Sequence, residues 1–136
     1  MATNQKTRTQ IMMEYIPKKE DINHWSIIGT SNIYIGKAGI PIEAPMNITF
    51  SGAQQNAIHP VLTLIDKNTE GDHPWILFKI EAEAFKNDPH PESQLYYIVE
   101  GENDLFSNFV AIKKSTLTKE FTDQWTDIFK ASQFAK

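Results

Sequence analysis

Four strand-like segments follow one another in the second half of the chain, with only short turn sequences between them. They cover residues 61–66, 75–85, 95–99 and 105–113, and the connections read KNTEGDHP, KNDPHPES and EGEND. Apolar β-branched and aromatic residues dominate the segments, whereas Gly, Asn, Asp and Pro dominate the connections. Consecutive strands joined by short turns pair antiparallel. The chain is therefore predicted to contain an antiparallel sheet, with a hairpin at residues 95–113.

The segment 75–85 alternates in its second half. Phe78, Ile80 and the two following alanines fall on one side, and Lys79, Glu81 and Glu83 fall on the other. Successive strand side chains point to opposite faces. This pattern predicts a sheet with one dry face and one polar face.

The first half of the chain predicts two more strands and a helix. The strands cover residues 11–17 and 26–36, and a brief helical turn between them would be capped by Asp21 and carry Trp25 inward. The helix would begin at Pro45 and end before Pro60. Its inner stripe has helical spacing and consists of Met46, Phe50, Ala53 and Ala57.

The segment TKEFTDQWTDIFKASQ predicts a final helix that covers the sheet. Thr118 suits the N-cap, Glu120 the first turn and Lys130 the last. One side of this helix is apolar and comprises Phe121, Trp125, Ile128 and Phe129. With Trp125 at the centre of a buried stripe, Trp125→Ala should cost about 3–5 kcal/mol.

Together these elements predict an α+β protein, with a twisted antiparallel sheet of about six strands and helices packed on it. Residues 1–10 are polar and predict a flexible N-terminal tail, and residues 11–136 predict a single α+β domain.

Composition narrows the function classes. The chain has 13 basic and 17 acidic residues, a net charge of −4, which argues against a nucleic-acid partner. It has no cysteine, which excludes disulfides and thiolate metal sites, and no apolar run reaches the length of a membrane span. Location stays open: periplasmic or secreted if the first Met replaces a removed signal peptide, otherwise cytoplasmic.

No residue pattern predicts a catalytic, cofactor or metal site. Glu81 and Glu83, about 7 Å apart on one strand, would suit acid/base chemistry on a sugar, but a solvated sheet face has the same pattern. His73 and His90 lie in loops at opposite ends of the segment 75–85, so they cannot share a metal. Solvated loop histidines are the expectation.

Several stretches resemble a group of small bacterial proteins of unassigned function that are often exported. These stretches are EYIPKKEDINHWS, ESQLYYIVEG, DLFSNFVAIKK and FTDQWTDIFKAS. The order of elements is similar to the PsbP-like α/β/α sandwich, which includes an extrinsic photosystem protein and a Ran-binding nuclear import factor. The resemblance implies a binding or accessory protein rather than an enzyme, and it brings no catalytic residues.

The expected function is a non-enzymatic binding protein, most simply for a protein partner whose identity and stoichiometry stay open. Two alternatives remain: an immunity or inhibitor protein whose acidic charge suits a basic toxin, and a small hydrolase acting over the Glu81/Glu83 face.

Overall fold

The fold is a three-layer arrangement of helix, sheet and helix. A computed structural model describes the backbone of residues 3–6, 10–15, 27–36, 39–86 and 90–132, and the side chains of 27–36, 39–86 and 90–130. The helical turn predicted at Asp21, the position of Trp25 and the end of the first predicted strand lie outside these residues. In chain order the elements are β1 (Thr3–Lys6), β2 (Gln10–Tyr15), β3 (Ile27–Tyr34), α1 (Glu43–Asn56), β4 (Ala57–Ile58), β5 (Val61–Asn68), β6 (Trp75–Ala82), β7 (Ala84–Phe85), β8 (Glu92–Glu100), β9 (Leu105–Ile112) and α2 (Lys119–Ser132).

Seven of these strands form one antiparallel sheet in the order β1-β2-β3-β9-β8-β6-β5. The α+β class and the antiparallel sheet are thus confirmed. The predicted hairpin is also present, with Glu100 opposite Leu105 beside the turn between β8 and β9. Within the segment predicted as a tail, β1 pairs with β2, a strand that the sequence did not predict.

Each face of the sheet is covered by one helix. On the side called here the α1 face, Met46 packs with Ile76 and Phe78. On the opposite side, the α2 face, Phe129 packs with Leu77. The prediction that one face of the sheet is polar is therefore wrong. Several strands contribute apolar residues to the α2 face, and α2 covers them.

Helix α1 follows its predicted stripe except at Ala57, which is the first residue of β4. Met46 is buried, and Phe50 and Ala53 pack half-buried against the α1 face. Thr49, a weak helix former, donates its hydroxyl to the Pro45 carbonyl at 2.8 Å, so its side chain is satisfied within the helix. The helix begins two residues before Pro45 and ends at Asn56.

Helix α2 begins as predicted, but its inner residue differs. The Phe121 amide donates to the Thr118 hydroxyl at 3.1 Å, which is an N-cap bond. Phe129 is the buried residue of the stripe and stacks on Tyr97 at 6.1 Å between ring centroids. Trp125 is only half-buried and Ile128 is exposed. The centre of the stripe is therefore Phe129 rather than Trp125.

The predicted strand 75–85 consists of two strands. β6 ends at Ala82, the chain bends at Glu83, and Ala84–Phe85 pairs with Ala57–Ile58 in a separate two-stranded sheet. The bend moves Glu83 off the strand that carries Glu81.

Candidate functional site

The two candidate carboxylates do not form an open pair. Glu81 lies on the α2 face, where one carboxylate oxygen accepts the Leu117 amide at 2.7 Å and the other lies 3.4 Å from Lys79 Nζ. Glu83 is exposed in the bend after β6. Glu81 thus holds the segment that leads into α2, and the pairing on one strand face that the sequence predicted is wrong.

Ser93, like Glu81, holds the segment that leads into α2. It is fully buried, lies directly opposite Glu81 in the sheet, and donates its hydroxyl to the Lys114 carbonyl at 2.7 Å. Two neighbouring side chains therefore tie the connection between β9 and α2 to the sheet. This arrangement stabilises the fold and leaves Glu81 engaged.

The loop histidines lie where the sequence predicts. His73 precedes β6 and His90 follows its far end, so the two loops are at opposite ends of the strand. His73 Nδ1 lies 3.1 Å from the Glu100 carbonyl, an intramolecular contact that joins the loop before β6 to the end of β8. In the described part of the chain, no group of three His, Asp or Glu side chains could hold a metal ion.

Among the residues that the structure describes, the strongest pKa shifts belong to two core tyrosines. Burial raises the pKa of Tyr97 to about 12. Burial raises the pKa of Tyr96 well above its usual value, and the charges of Glu92 and Tyr34 add to the effect. Tyr96 donates to Gln94 Oε1 at 2.6 Å and stacks on Phe78, so both tyrosines are packing residues.

One end of the sheet carries six carboxylates in or directly beside three neighbouring loops, named here the acidic end: Glu43, Glu70, Asp72, Glu100, Glu102 and Asp104. Three of them have structural partners. Asp104 accepts the Gly36 amide at 2.9 Å, Glu100 accepts the Gly39 amide, and Glu43 pairs with Lys67 at 2.8 Å. The other three are exposed. Part of the acidic end therefore holds the loop before α1 in place, and the rest is an exposed negative surface.

The outer strand β5 is the most open element among the described side chains. It pairs with β6 on one side only and is an edge of the large sheet. Val61, Leu64 and Ile65 are exposed to 55%, 44% and 39%. Because an edge strand presents unpaired backbone N–H and C=O groups, exposed apolar residues beside them favour pairing with another chain.

A bulge between Leu64 and Asp66 divides β5 into two halves. In the second half, Lys67 pairs with Glu43 on α1, and Asp66 lies 3.9 Å from Lys130 on α2. A bulge and charged residues are devices that blunt a sheet edge. The first half, residues 61–64, has neither, and it is called here the open edge.

The sequence identified the β5 strand but missed its position at the edge. Edge position depends on which strands find partners, and β5 pairs only with the next strand in the chain. The one available indication was composition: the run VLTLID has fewer charges toward its start than at its end.

Comparison with known proteins adds no family to these observations. No protein-family model matches the chain, and no curated protein is found to be similar. Of the two helices in the described part, neither has the length and apolar character needed to cross a membrane.

Proposed function

We propose that the protein is a non-enzymatic binding protein that holds an extended segment of a partner protein against the open edge of β5. The observation that carries this proposal is the exposure of Val61 and Leu64 on an edge strand without a bulge or a charge at residues 61–64. In strand addition, backbone hydrogen bonds give affinity and alternate side chains give specificity.

The geometry of β5 defines the partner segment. Leu64 is opposite Phe78 and lies on the α1 face, whereas Val61 is opposite Glu81 and lies on the α2 face. A partner strand beside the open edge would meet apolar side chains on both faces of the sheet. The segment should therefore be apolar on both sides over about four residues, and it should end where Asp66 and Lys67 begin.

The test compares charged substitutions inside and outside the open edge. Leu64→Lys places a charge against the incoming strand, whereas Ile48→Lys places the same charge on α1 at a side chain exposed to 71%. Partners are captured from the native cell with each variant and identified by mass spectrometry, and the leading partner is then purified for titration. We expect Leu64→Lys to weaken binding at least tenfold and Ile48→Lys to leave it unchanged.

Two results would contradict the proposal. One is a partner that binds Leu64→Lys as tightly as the unsubstituted chain. The other is self-association of the chain through β5, seen as a mass that doubles with concentration in sedimentation and is abolished by Leu64→Lys. Thermal unfolding of both variants checks that the fold is kept.

The PsbP-like relationship and the bacterial origin stay proposals. The three layers of α1, sheet and α2 support the first proposal, and the stretches of sequence that carry the resemblance support both. Related domains with a conserved open edge in the position of β5 would strengthen both proposals. A domain of the same family in which this edge is paired within its own sheet would weaken the binding mode.

An immunity or inhibitor protein is the second candidate, favoured by the exposed part of the acidic end. Glu70, Asp72 and Glu102 are exposed in adjacent loops, and opposite charges on a partner would steer its association. A toxin gene next to this one would support the candidate. Binding to such a basic partner should weaken steeply with salt and with Glu102→Lys, and a complex insensitive to both would exclude it.

A further inference from the structure

A groove lies beside α2, where the helix leaves part of the α2 face uncovered. It has a volume of about 240 Å³, and its lining includes Gly29, Ser31, Asn108, Trp125, Ile128 and Phe129. It is named here the Trp125 groove. Strands β8 and β6 separate it from β5, so it is distinct from the open edge.

The floor of the groove exists because small residues replace large ones. Leu77, Tyr97, Asn108 and Ser31 are successive cross-strand partners on the α2 face. The first two are buried apolar or aromatic side chains beneath α2, and the last two are short and polar. The neighbouring floor position on β3 is Gly29, which has no side chain. The helix therefore rests on the large residues and overhangs the small ones.

The wall of the groove is a fixed aromatic ring. Trp125 is tilted against Phe121 and Phe129, with ring centroids at 6.3 and 5.7 Å. These neighbours hold the indole from two sides, while the ring is only half-buried. An indole held in this way offers an apolar face without losing much side-chain freedom on binding.

The floor also offers hydrogen-bonding groups with spare capacity. The Ser31 hydroxyl donates to Asn108 Oδ1 at 2.8 Å. This bond occupies the amide oxygen and leaves the two N–H groups of Asn108 without a partner among the described residues. The Ser31 oxygen can still accept a hydrogen bond. A ligand here would meet donors and an acceptor beside an aromatic face.

Charge and size select the ligand class. None of the described residues that line the groove is charged, so nothing there favours an anion or a cation. Its volume is below the roughly 300–1,000 Å³ of sites for drug-sized ligands, which corresponds to a single ring. A ring with hydroxyl groups on its edge and C–H groups on its face matches this lining. We propose that the Trp125 groove binds one pyranose ring of a neutral saccharide.

The test uses the full chain labelled with ¹⁵N and a panel of neutral methyl pyranosides. Binding should shift the Asn108 side-chain amide and the Trp125 indole resonances, with a dissociation constant of about 1 mM for the best sugar. The Trp75 indole serves as an internal reference, because Trp75 packs against Tyr97 and Lys130 away from the groove lining.

Two substitutions make the assignment specific. Asn108→Asp keeps an acceptor for Ser31 but removes both N–H donors, and it should weaken sugar binding about tenfold. Asn103→Asp makes the same change in charge in the exposed turn between β8 and β9, and it should leave binding unchanged. Thermal unfolding verifies that both variants fold.

Three results would overturn the proposal: no resonance shift with any pyranoside, equal weakening by both substitutions, or saturation of the groove by an apolar peptide that sugars do not compete with. Leu64→Lys should leave sugar binding intact. Loss of the protein partner and loss of the sugar are therefore separate outcomes.

Discussion

Each face of the sheet carries a row of side chains that crosses several strands, and the two rows end in different types of residue. On the α1 face, the rings of Phe78, Tyr96 and Phe109 contact one another across three strands, with centroids 4.9 and 4.6 Å apart. On the α2 face, the corresponding row changes from Leu77 and Tyr97 to Asn108 and Ser31. The aromatic row continues onto β9, whereas the row on the α2 face becomes polar at Asn108, although Val110 of the same strand belongs to the core. The same sheet thus has one face built for packing and one face that leaves room beside its helix.

The largest expected difference between the faces concerns their aromatic residues. Phe78→Ala removes a fully buried ring from the α1 face and should lower the free energy of unfolding by about 3–5 kcal/mol. Trp125→Ala on α2 should cost less, about 1–3 kcal/mol, because half-buried Trp125 lines an open groove. Urea unfolding monitored by circular dichroism gives both free energies. Equal losses would mean that the α2 face is packed as tightly as the α1 face.

The attachment of α2 to its face should depend on Glu81. Glu81→Ala leaves the Leu117 amide without its acceptor and should cost about 1–3 kcal/mol. Glu81→Gln keeps an acceptor oxygen and should cost less. Glu83→Ala is the matched control, since Glu83 is exposed in the bend and its loss should change stability by no more than about 0.5 kcal/mol. The same urea assay applies, and a control as costly as Glu81→Ala would refute the anchoring role.

Alkaline pH should weaken both faces through their buried tyrosines. An unfolded tyrosine ionises near pH 10, whereas the pKa of Tyr97 is about 12 in the fold. Between these values the unfolded chain has released a proton that the folded chain keeps, so stability falls as pH rises, by up to about 1.4 kcal/mol per pH unit for one group. Below about pH 10 this contribution is fully present.

Tyr97→Phe should make that decline shallower, and Tyr96→Phe should do the same for the α1 face, where the pKa is also raised. Unfolding free energies measured at several pH values from about 9 to 12 provide the slopes. A slope identical in the unsubstituted chain and both variants would show that other groups cause the alkaline loss.

The smallest effect is expected at the contact between α2 and the edge strand. Lys130 Nζ lies 4.6 Å from the Trp75 ring centroid and 3.9 Å from Asp66, and both charged side chains are well exposed. Lys130→Met keeps the apolar stem and removes the charge, so it should cost no more than about 1 kcal/mol. A double-mutant cycle with Asp66→Asn measures the pair. A coupling above that value would mean that the contact fixes α2 on its face.

Local features of the fold were accessible from the sequence. The Thr118 cap, the stripe of Met46 and Phe50, and the hairpin turn after Glu100 each depend on residues close together in the chain. The alternation at Lys79 and Glu81 is also a local feature, and it led to the wrong prediction of a polar face. Those two residues lie 3.4 Å apart on the α2 face, and Glu81 accepts the amide of Leu117, which a pattern within one strand does not reveal.

Features that depend on distant residues were missed. The Trp125 groove needs Ser31 and Asn108 side by side, and 77 positions separate them in the chain. The openness of β5 depends on the strand order of the whole sheet. The pairing of β4 with β7 arises from a bend at Glu83 that no glycine or proline marks. Periodicity reports which face a residue occupies, but it does not report which strand lies beside it.

The central position of the β8–β9 hairpin has a consequence for how the chain reaches its fold. β3 pairs with β9, and β6 pairs with β8. These two strands are therefore joined only through the β8–β9 hairpin, which comes later in the chain than either of them. Until the hairpin inserts, the inner edges of β3 and β6 are unpaired backbone that other chains could join. Rapid closure of the turn at Gly101–Asp104, where the Gly101 amide donates to the Asp104 carbonyl at 2.8 Å, shortens that exposure. Slowing this turn should therefore lower the yield of folded chain before it lowers the stability of the chains that do fold.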